Sequence, residues 1–318
     1  MVLKITYTKC YFKALNISMG KKEILFFGTG TALITPFKNG KVDYNSLEII
    51  IKKQIEAGVG AVVVLGTTGE AATISLTERE KIIELAVKLC KNKCKVIVGC
   101  GSNNTNSAIK LYKMAERLGA DGALIVTPYY NKCTQNGVLE HYKAIAKAGN
   151  MPIIVYNVPS RTGVNIEPQT LLQLSEIKNI VGVKEASGNI SQIMELFYLL
   201  KDKMAIYSGD DALNYIFLSL GGSGCISVLA NIMPEKCEKL YQIHLQKGAT
   251  EAASFWIKFL PIIKSMFIEV NPIPIKYAMS QIGLCKNELR LPLTRLSAKN
   301  ENILNGELNK VWAQDDSL

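Results

Sequence analysis

Lys184 is the side chain in this sequence best placed to act as a nucleophile. It closes the short apolar run Ile180-Val181-Gly182-Val183 and is followed by Glu185. An amine at the end of such a run looks into low-dielectric surroundings. These disfavour the ammonium and leave a nucleophile able to form a Schiff base with a carbonyl. The competing reading is a lysine paired with Glu185 or another nearby carboxylate, and position alone does not choose between them. Tyr156 closes the preceding apolar run, Pro152-Ile153-Ile154-Val155. Its phenol could pass protons during imine formation and carbon–carbon bond making, or it could be an ordinary half-buried tyrosine. Thr67 and Thr68 offer hydroxyls between Gly66 and Gly69, where glycine lets backbone approach a ligand closely. Arg161 is a planar fork suited to a carboxylate, or to a surface salt bridge. Gly221-Gly222-Ser223-Gly224 could cradle phosphate, but it precedes an apolar run and reads better as a turn at the opposite rim.

These side chains need a scaffold, and the chain offers an alternation. Apolar runs fall at roughly 28–34, 61–66, 95–101, 122–128, 152–157, 180–185, 204–209 and 224–229. They are apolar on both faces, as strands covered on both sides must be. Amphipathic stretches lie between them. Asp43 precedes Leu47, Ile50, Ile51 and Ile55, with Gly58 as the stop; Thr77 and Glu80 have capping-box spacing; 105–118 is amphipathic and ends at Gly119. Strand–helix units spaced about 20–35 residues apart predict a (β/α)8 barrel of about 210 residues, with an open doubly wound sheet as the alternative. In such a barrel Lys184, Tyr156, Thr67 and Thr68 share the end where strands finish. The expected organisation is an N-terminal extension over 1–20 (Met19 being an alternative start), a catalytic barrel over 21–231 and a C-terminal helical domain over 232–318. Helices are expected there at 234–247, 249–268 and 273–283.

Composition narrows the classes of function. The chain has 318 residues, 48% hydrophobic and 20% charged, which excludes general disorder. No apolar run reaches the ~18–20 residues of a membrane span; the stretch 252–268 is broken by Lys258, Pro261 and Lys264. The net charge of +10 is carried by scattered lysines without interleaved aromatics, so neither nucleic acid nor membrane is an expected partner. Eight cysteines without CxxC spacing and two histidines make a zinc site an unsupported reading and point to a reducing, cytoplasmic setting.

Taken together and in order, several segments resemble one family. Gly66-Thr67-Thr68-Gly69-Glu70, Thr127-Pro128-Tyr129-Tyr130-Asn131, Tyr156 through Gly163 and Val183-Lys184-Glu185-Ala186 look like the 4-hydroxy-tetrahydrodipicolinate synthase (dihydrodipicolinate synthase) family. The likeness runs from about Gly28 to Pro292 and includes Leu33-Ile34-Thr35-Pro36-Phe37 and Asn271-Pro272-Ile273-Pro274. It implies condensation of pyruvate with L-aspartate 4-semialdehyde on a lysine Schiff base, the first committed step towards diaminopimelate and lysine. By the same likeness Lys184 forms the imine, and Tyr156, Thr67 and Tyr130 make the proton relay, Tyr130 being lent by a neighbouring subunit. Thr68 would hold the pyruvate carboxylate and Arg161 the semialdehyde carboxylate, with the backbone near Gly209 and Ile226 lining the pocket. The resemblance implies no cofactor and no metal, and a homotetramer built as a dimer of dimers. In lysine-sensitive members the effector lies near the segments matching Ala71 to Arg79, Asn103 to Ser107 and Tyr129, with a glutamate at the place of Ser107 and histidines at those of Leu76 and Arg79. This chain departs from them there, so feedback by lysine is expected to be weak or absent. N-acetylneuraminate lyase, on the same barrel, is the nearest rival. Those lyases usually carry serine for the first threonine and lack arginine at the place of Arg161. A catalytically dead barrel would be expected to have lost part of the relay.

Overall fold

The computed structural model describes residue 22 and residues 24–315; the expected extension over 1–20 lies outside the described residues. Eight parallel strands close a barrel: β1 (Gly28–Ala32), β2 (Ala61–Val64), β3 (Lys95–Gly99), β4 (Gly122–Val126), β5 (Ile153–Asn157), β6 (Ile180–Glu185), β7 (Ala205–Ser208) and β8 (Gly224–Ser227). Each pairs with its sequence neighbour, and β1 pairs with both β2 and β8, which excludes the open sheet. Most strands stop one or two residues before the apolar runs do. After β2, Leu65 turns to a left-handed φ of 59°, and such backbone leaves the ladder.

The helices between the strands are α1 (Tyr44–Glu56), α2 (Leu76–Cys90), α3 (Thr105–Arg117), α4 (Gln135–Lys147), α5 (Pro168–Ser175), α6 (Ile190–Leu200), α7 (Asn214–Ser219) and α8 (Pro234–Lys247). The Asp43 side chain caps α1 by accepting from Ser46 N at 3.1 Å. The cap of α2 differs from the expectation. Ser75 and Glu78 form the reciprocal box, two residues earlier than Thr77 and Glu80, and Glu80 instead pairs with Arg117 at 2.6 Å. A small hairpin, Phe37–Lys38 with Lys41–Val42, turns at Asn39-Gly40, whose φ values of 53° and 74° are those that this residue pair favours in a two-residue hairpin turn. Helix α8 was expected to open the C-terminal domain, but it lies against β1: Glu238 accepts from Thr29 N at 2.7 Å. It therefore completes the eighth strand–helix unit. The expected 249–268 helix is divided into α9 (Ala249–Ile257) and α10 (Leu260–Ser265), with Pro261 in the first turn of the second, where its missing N–H costs nothing. Then follow α11 (Ile273–Gln281) and α12 (Ala298–Asp315).

Two apolar layers hold the barrel. The larger lies between strands and helices and includes Ile51, Val62, Ile83, Val98, Ile145, Val155, Val183 and Leu196. The smaller fills the barrel itself with Ala61, Val63, Ile97, Leu124, Ile154, Ala205 and Ile226. Phe26 and Tyr207 stack at 4.4 Å in this inner layer. Gly182 makes room for Tyr207, since a Cβ there would stand 3.1 Å from its ring. Tyr207 fills the barrel below Lys184, so the open end is the one where the strands finish.

Candidate active site

Strand register builds the site. On the parallel pair β5 and β6, Tyr156 lies opposite Lys184 and Asn157 opposite Glu185. Alternation along a strand sends the first pair into the barrel and the second outward. Lys184 is 6% exposed and Tyr156 7%, and Lys184 Nζ sits 4.3 Å from the centre of the Tyr156 ring. Glu185 is engaged elsewhere: it accepts from Ser187 N at 2.6 Å, Asn157 Nδ2 at 2.9 Å and Gln192 Nε2 at 3.4 Å. Among the described residues no carboxylate forms an ion pair with Lys184. The amine is sheltered yet unpaired, as a nucleophile must be.

A cavity of about 420 Å³ opens above Lys184. Gly66, Thr67, Thr68, Tyr156, Arg161, Lys184 and Gly209 all line it, which brings together six of the eight expected site residues. Gly209 is required by space. A Cβ there would come within 2.8 Å of Ala186 Cβ and 2.9 Å of Lys184 Cε. The loop carrying Thr67 and Thr68 lies over the end of β3, where a Cβ on Gly99 would come within 1.9 Å of Leu65 O. Thr68 is buried and its Oγ1 accepts from Asn271 Nδ2 at 2.9 Å. Arg161 follows Pro159 in a one-turn helix, Pro159–Thr162. Its Nη2 donates to Asn271 O at 3.0 Å, and among the described residues no carboxylate forms a salt bridge with it.

Two expected residues stand apart. Ile226 is buried within the barrel's inner layer, and Val228, just past the end of β8, lines the cavity instead. Tyr130 does not face its own chain's cavity. It is 91% exposed, at a left-handed φ of 72°. Asp210, among the reactive side chains where the seventh strand finishes, and Lys264 also stand on the cavity wall; the sequence assigns no role to Asp210 or Asn271 and gives no sign of Lys264. Lys264 and Asn271 come from the C-terminal segment, far along the chain from the strands. The one signal was Asn271-Pro272-Ile273-Pro274, whose two prolines fix the chain where α11 begins. A larger groove of about 900 Å³, lined by Phe26, Lys91, Cys94, Asp121 and Glu238, lies at the opposite end of the strands. In barrels of this kind chemistry belongs to the end where the strands finish.

A closed (β/α)8 barrel with an unpaired lysine and a tyrosine buried at the mouth has the architecture of a Schiff-base-forming aldolase. The comparisons narrow this class. The model of the dihydrodipicolinate synthetase family matches residues 25–311, and the chain belongs to that family. It is 48% identical over 284 residues to the 4-hydroxy-tetrahydrodipicolinate synthase of Clostridium novyi, covering 89% of this chain and 96% of the relative. With the synthase of Fervidobacterium nodosum it shares 46% over 288 residues, covering 90% and 99%. Among solved structures, the dihydrodipicolinate synthase of Thermotoga maritima superposes with a TM-score of 0.88 at 43% identity, covering 90% of this chain and 98% of that one.

Proposed function

We propose that this chain condenses pyruvate with L-aspartate 4-semialdehyde to give 4-hydroxy-tetrahydrodipicolinate, in the biosynthesis of diaminopimelate and lysine. The observation that carries the assignment to this site is the unpaired Lys184 amine against the Tyr156 ring beneath the cavity. Lys184 attacks the pyruvate ketone, water leaves, and an imine forms. Loss of a methyl proton gives the enamine, with the protonated imine nitrogen accepting the electron pair. The enamine carbon attacks the aldehyde of the semialdehyde. The semialdehyde amine then adds to the imine carbon and expels Lys184, closing the ring. Each step moves a proton, and Tyr156 and Thr67 are the hydroxyls at the mouth that can carry it. Thr68 holds the pyruvate carboxylate and Arg161 the semialdehyde carboxylate, the latter as a bidentate fork. Gly209 and Val228 shape the pocket.

Tyr130 completes the relay in a second subunit's site. Its exposure and left-handed backbone support this role, because a tyrosine so presented has little to gain within its own fold. The assembly is a tetramer built as a dimer of dimers. One face of α6 offers a second surface for it: Ile190, Met194 and Tyr198 recur every fourth residue and are 43%, 51% and 84% exposed. The enzyme works in the cytoplasm, and its seven free cysteines among the described residues suit a reducing compartment.

The test is an assay of purified protein with pyruvate and aspartate semialdehyde, following product through a coupled reductase. N-acetylneuraminate serves as the alternative substrate. Turnover of the first pair and none of the second is expected, and the reverse result would move the assignment to the rival lyase.

A further inference from the structure

Behind the loop that carries Thr67 and Thr68 lies an ion pair cut off from water. The Glu70 carboxylate accepts from Lys276 Nζ, and the two side chains are 1% and 0% exposed. Lys276 also donates to Glu288 O at 2.8 Å and stands 3.8 Å from the centre of the Phe37 ring. The second Glu70 oxygen accepts from Arg290 N at 3.2 Å. Glu70 is thus tied directly to α11 and to the segment after it, and Lys276 carries the link on to Phe37 of the early hairpin. Its backbone sits at a left-handed φ of 51°, a conformation that disfavours residues with a Cβ. Glycine would be the easier choice for the turn alone, so the side chain is what the position keeps.

The ties run in both directions towards the cavity. Glu70 N donates to Thr67 O at 3.1 Å and Gly69 N to Gly66 O at 3.1 Å, so a fixed Glu70 fixes the turn that aims Thr67 and Thr68. Lys276 lies in the first turns of α11, just after Asn271, whose side chain donates to Thr68 Oγ1 and whose carbonyl accepts from Arg161. One buried bond therefore sets both the threonine loop and the arginine anchor. Neither Glu70 nor Lys276 lines the cavity.

We propose that Glu70 and Lys276 are positioning residues: their buried pair locks the Thr67–Thr68 turn to the Asn271–Arg161 anchor and so sets the affinity for pyruvate. This rests on the function proposed above. A buried pair is poor evidence of stability, because an apolar or neutral pair of equal volume often serves as well, whereas removing one partner strands a charge. The informative variant is therefore the neutral double substitution Glu70→Gln with Lys276→Met, compared with Glu70→Gln alone. The double variant is expected to fold, with circular dichroism and melting close to those of the parent. At saturating pyruvate, borohydride should still trap the adduct on Lys184, which β6 and Gly209 hold independently. The pyruvate KM should rise at least tenfold, and kcat should fall at least tenfold. A folded double variant with parental KM and kcat would overturn the proposal. Hydrogen exchange of the unmodified protein provides a second check that needs no variant. The amides of Gly69 and Glu70 should exchange as slowly as those of β2 without substrate; exchange at the rate of a free loop would equally overturn it. Failure of the parent protein itself to form an adduct on Lys184 would refute the function, a different result from either.

Discussion

Replacing Gly209 by alanine probes how closely the barrel mouth holds Lys184. The new Cβ would stand 2.8 Å from Ala186 Cβ, 2.9 Å from Lys184 Cε and 3.1 Å from Glu185 O. Carbon atoms in ordinary contact sit about 3.5–4.0 Å apart, so something must retreat by roughly 0.6–1.2 Å. Two of the three neighbours are anchored. Ala186 N donates to Asn157 O at 2.9 Å, and Glu185 O accepts from Gly209 N at 2.8 Å. The lysine side chain is the part that yields. A misplacement of about 1 Å in a reacting group costs on the order of 100-fold in rate, equivalent to about 2.7 kcal/mol of barrier. Overpacking should also remove about 1–3 kcal/mol of stability. The assay is the initial rate at saturating pyruvate and aspartate semialdehyde, well below the melting temperature, with folding checked by circular dichroism. A folded Gly209→Ala protein with parental kcat would refute the reasoning that this contact fixes the amine.

Other outcomes follow from other parts of the molecule. Tyr130→Phe and Lys184→Ala proteins should each be nearly inactive, and mixing them under subunit exchange should restore activity, because hybrid dimers hold one complete site; confirmed hybrids without activity would count against a Tyr130 shared between subunits. Lysine should inhibit weakly. Ser107 brings no carboxylate to an ammonium, Leu76 is exposed, and Arg79 is buried with its guanidinium donating to Gly99 O at 2.9 Å and Ala71 O at 3.0 Å. Loss of a charged partner costs about 2–5 kcal/mol, or about 30-fold or more in affinity, and strong inhibition below millimolar lysine in a titration would contradict this. The bidentate Arg290 pair, helped by Ser75, holds the Glu78 carboxylate down at about 2. A folded-state value below the unfolded one stabilises above about pH 4.5 and is lost as pH falls through 2. Because water reaches the pair, Glu78→Gln should cost only about 1 kcal/mol at pH 7, and denaturant titrations should show the gap closing in acid; a constant gap would contradict it.

The barrel was legible because its signals are local. Eight doubly apolar runs alternating with amphipathic stretches call for a parallel sheet covered by helices on both faces, and the pairing of β1 with β8 is what chooses the closed barrel over the open sheet. Lys184 and Tyr156 could be placed together because strand register and alternation follow from those runs. What the sequence hid depends on contacts between distant segments. Asn271 reaches Thr68 across 203 positions, and the Asn271-Pro272-Ile273-Pro274 segment does not by itself say which residue it meets. The pairing of Glu70 with Lys276 is equally invisible, since each looks like a surface charge until the chain closes over both. The fate of Glu185 turned on the opposite point. It lies next to Lys184 in sequence, yet the pleat sends it to Asn157, Ser187 and Gln192. The α2 cap was misplaced because Ser75 and Thr77 both precede a glutamate by three residues; the choice belongs to the short 3-10 turn Ala71–Thr73 that leads into the helix. Pro261 split a helix that hydrophobic pattern alone would have continued.

The central claim is that Lys184 is the covalent nucleophile. Its most direct test is to incubate the protein with pyruvate and borohydride, digest it and locate the reduced adduct by peptide mass spectrometry. A single adduct is expected on the peptide holding Lys184, absent when pyruvate or borohydride is omitted and absent from Lys184→Ala. An adduct on any other lysine, or none at all from folded protein at saturating pyruvate, would contradict it.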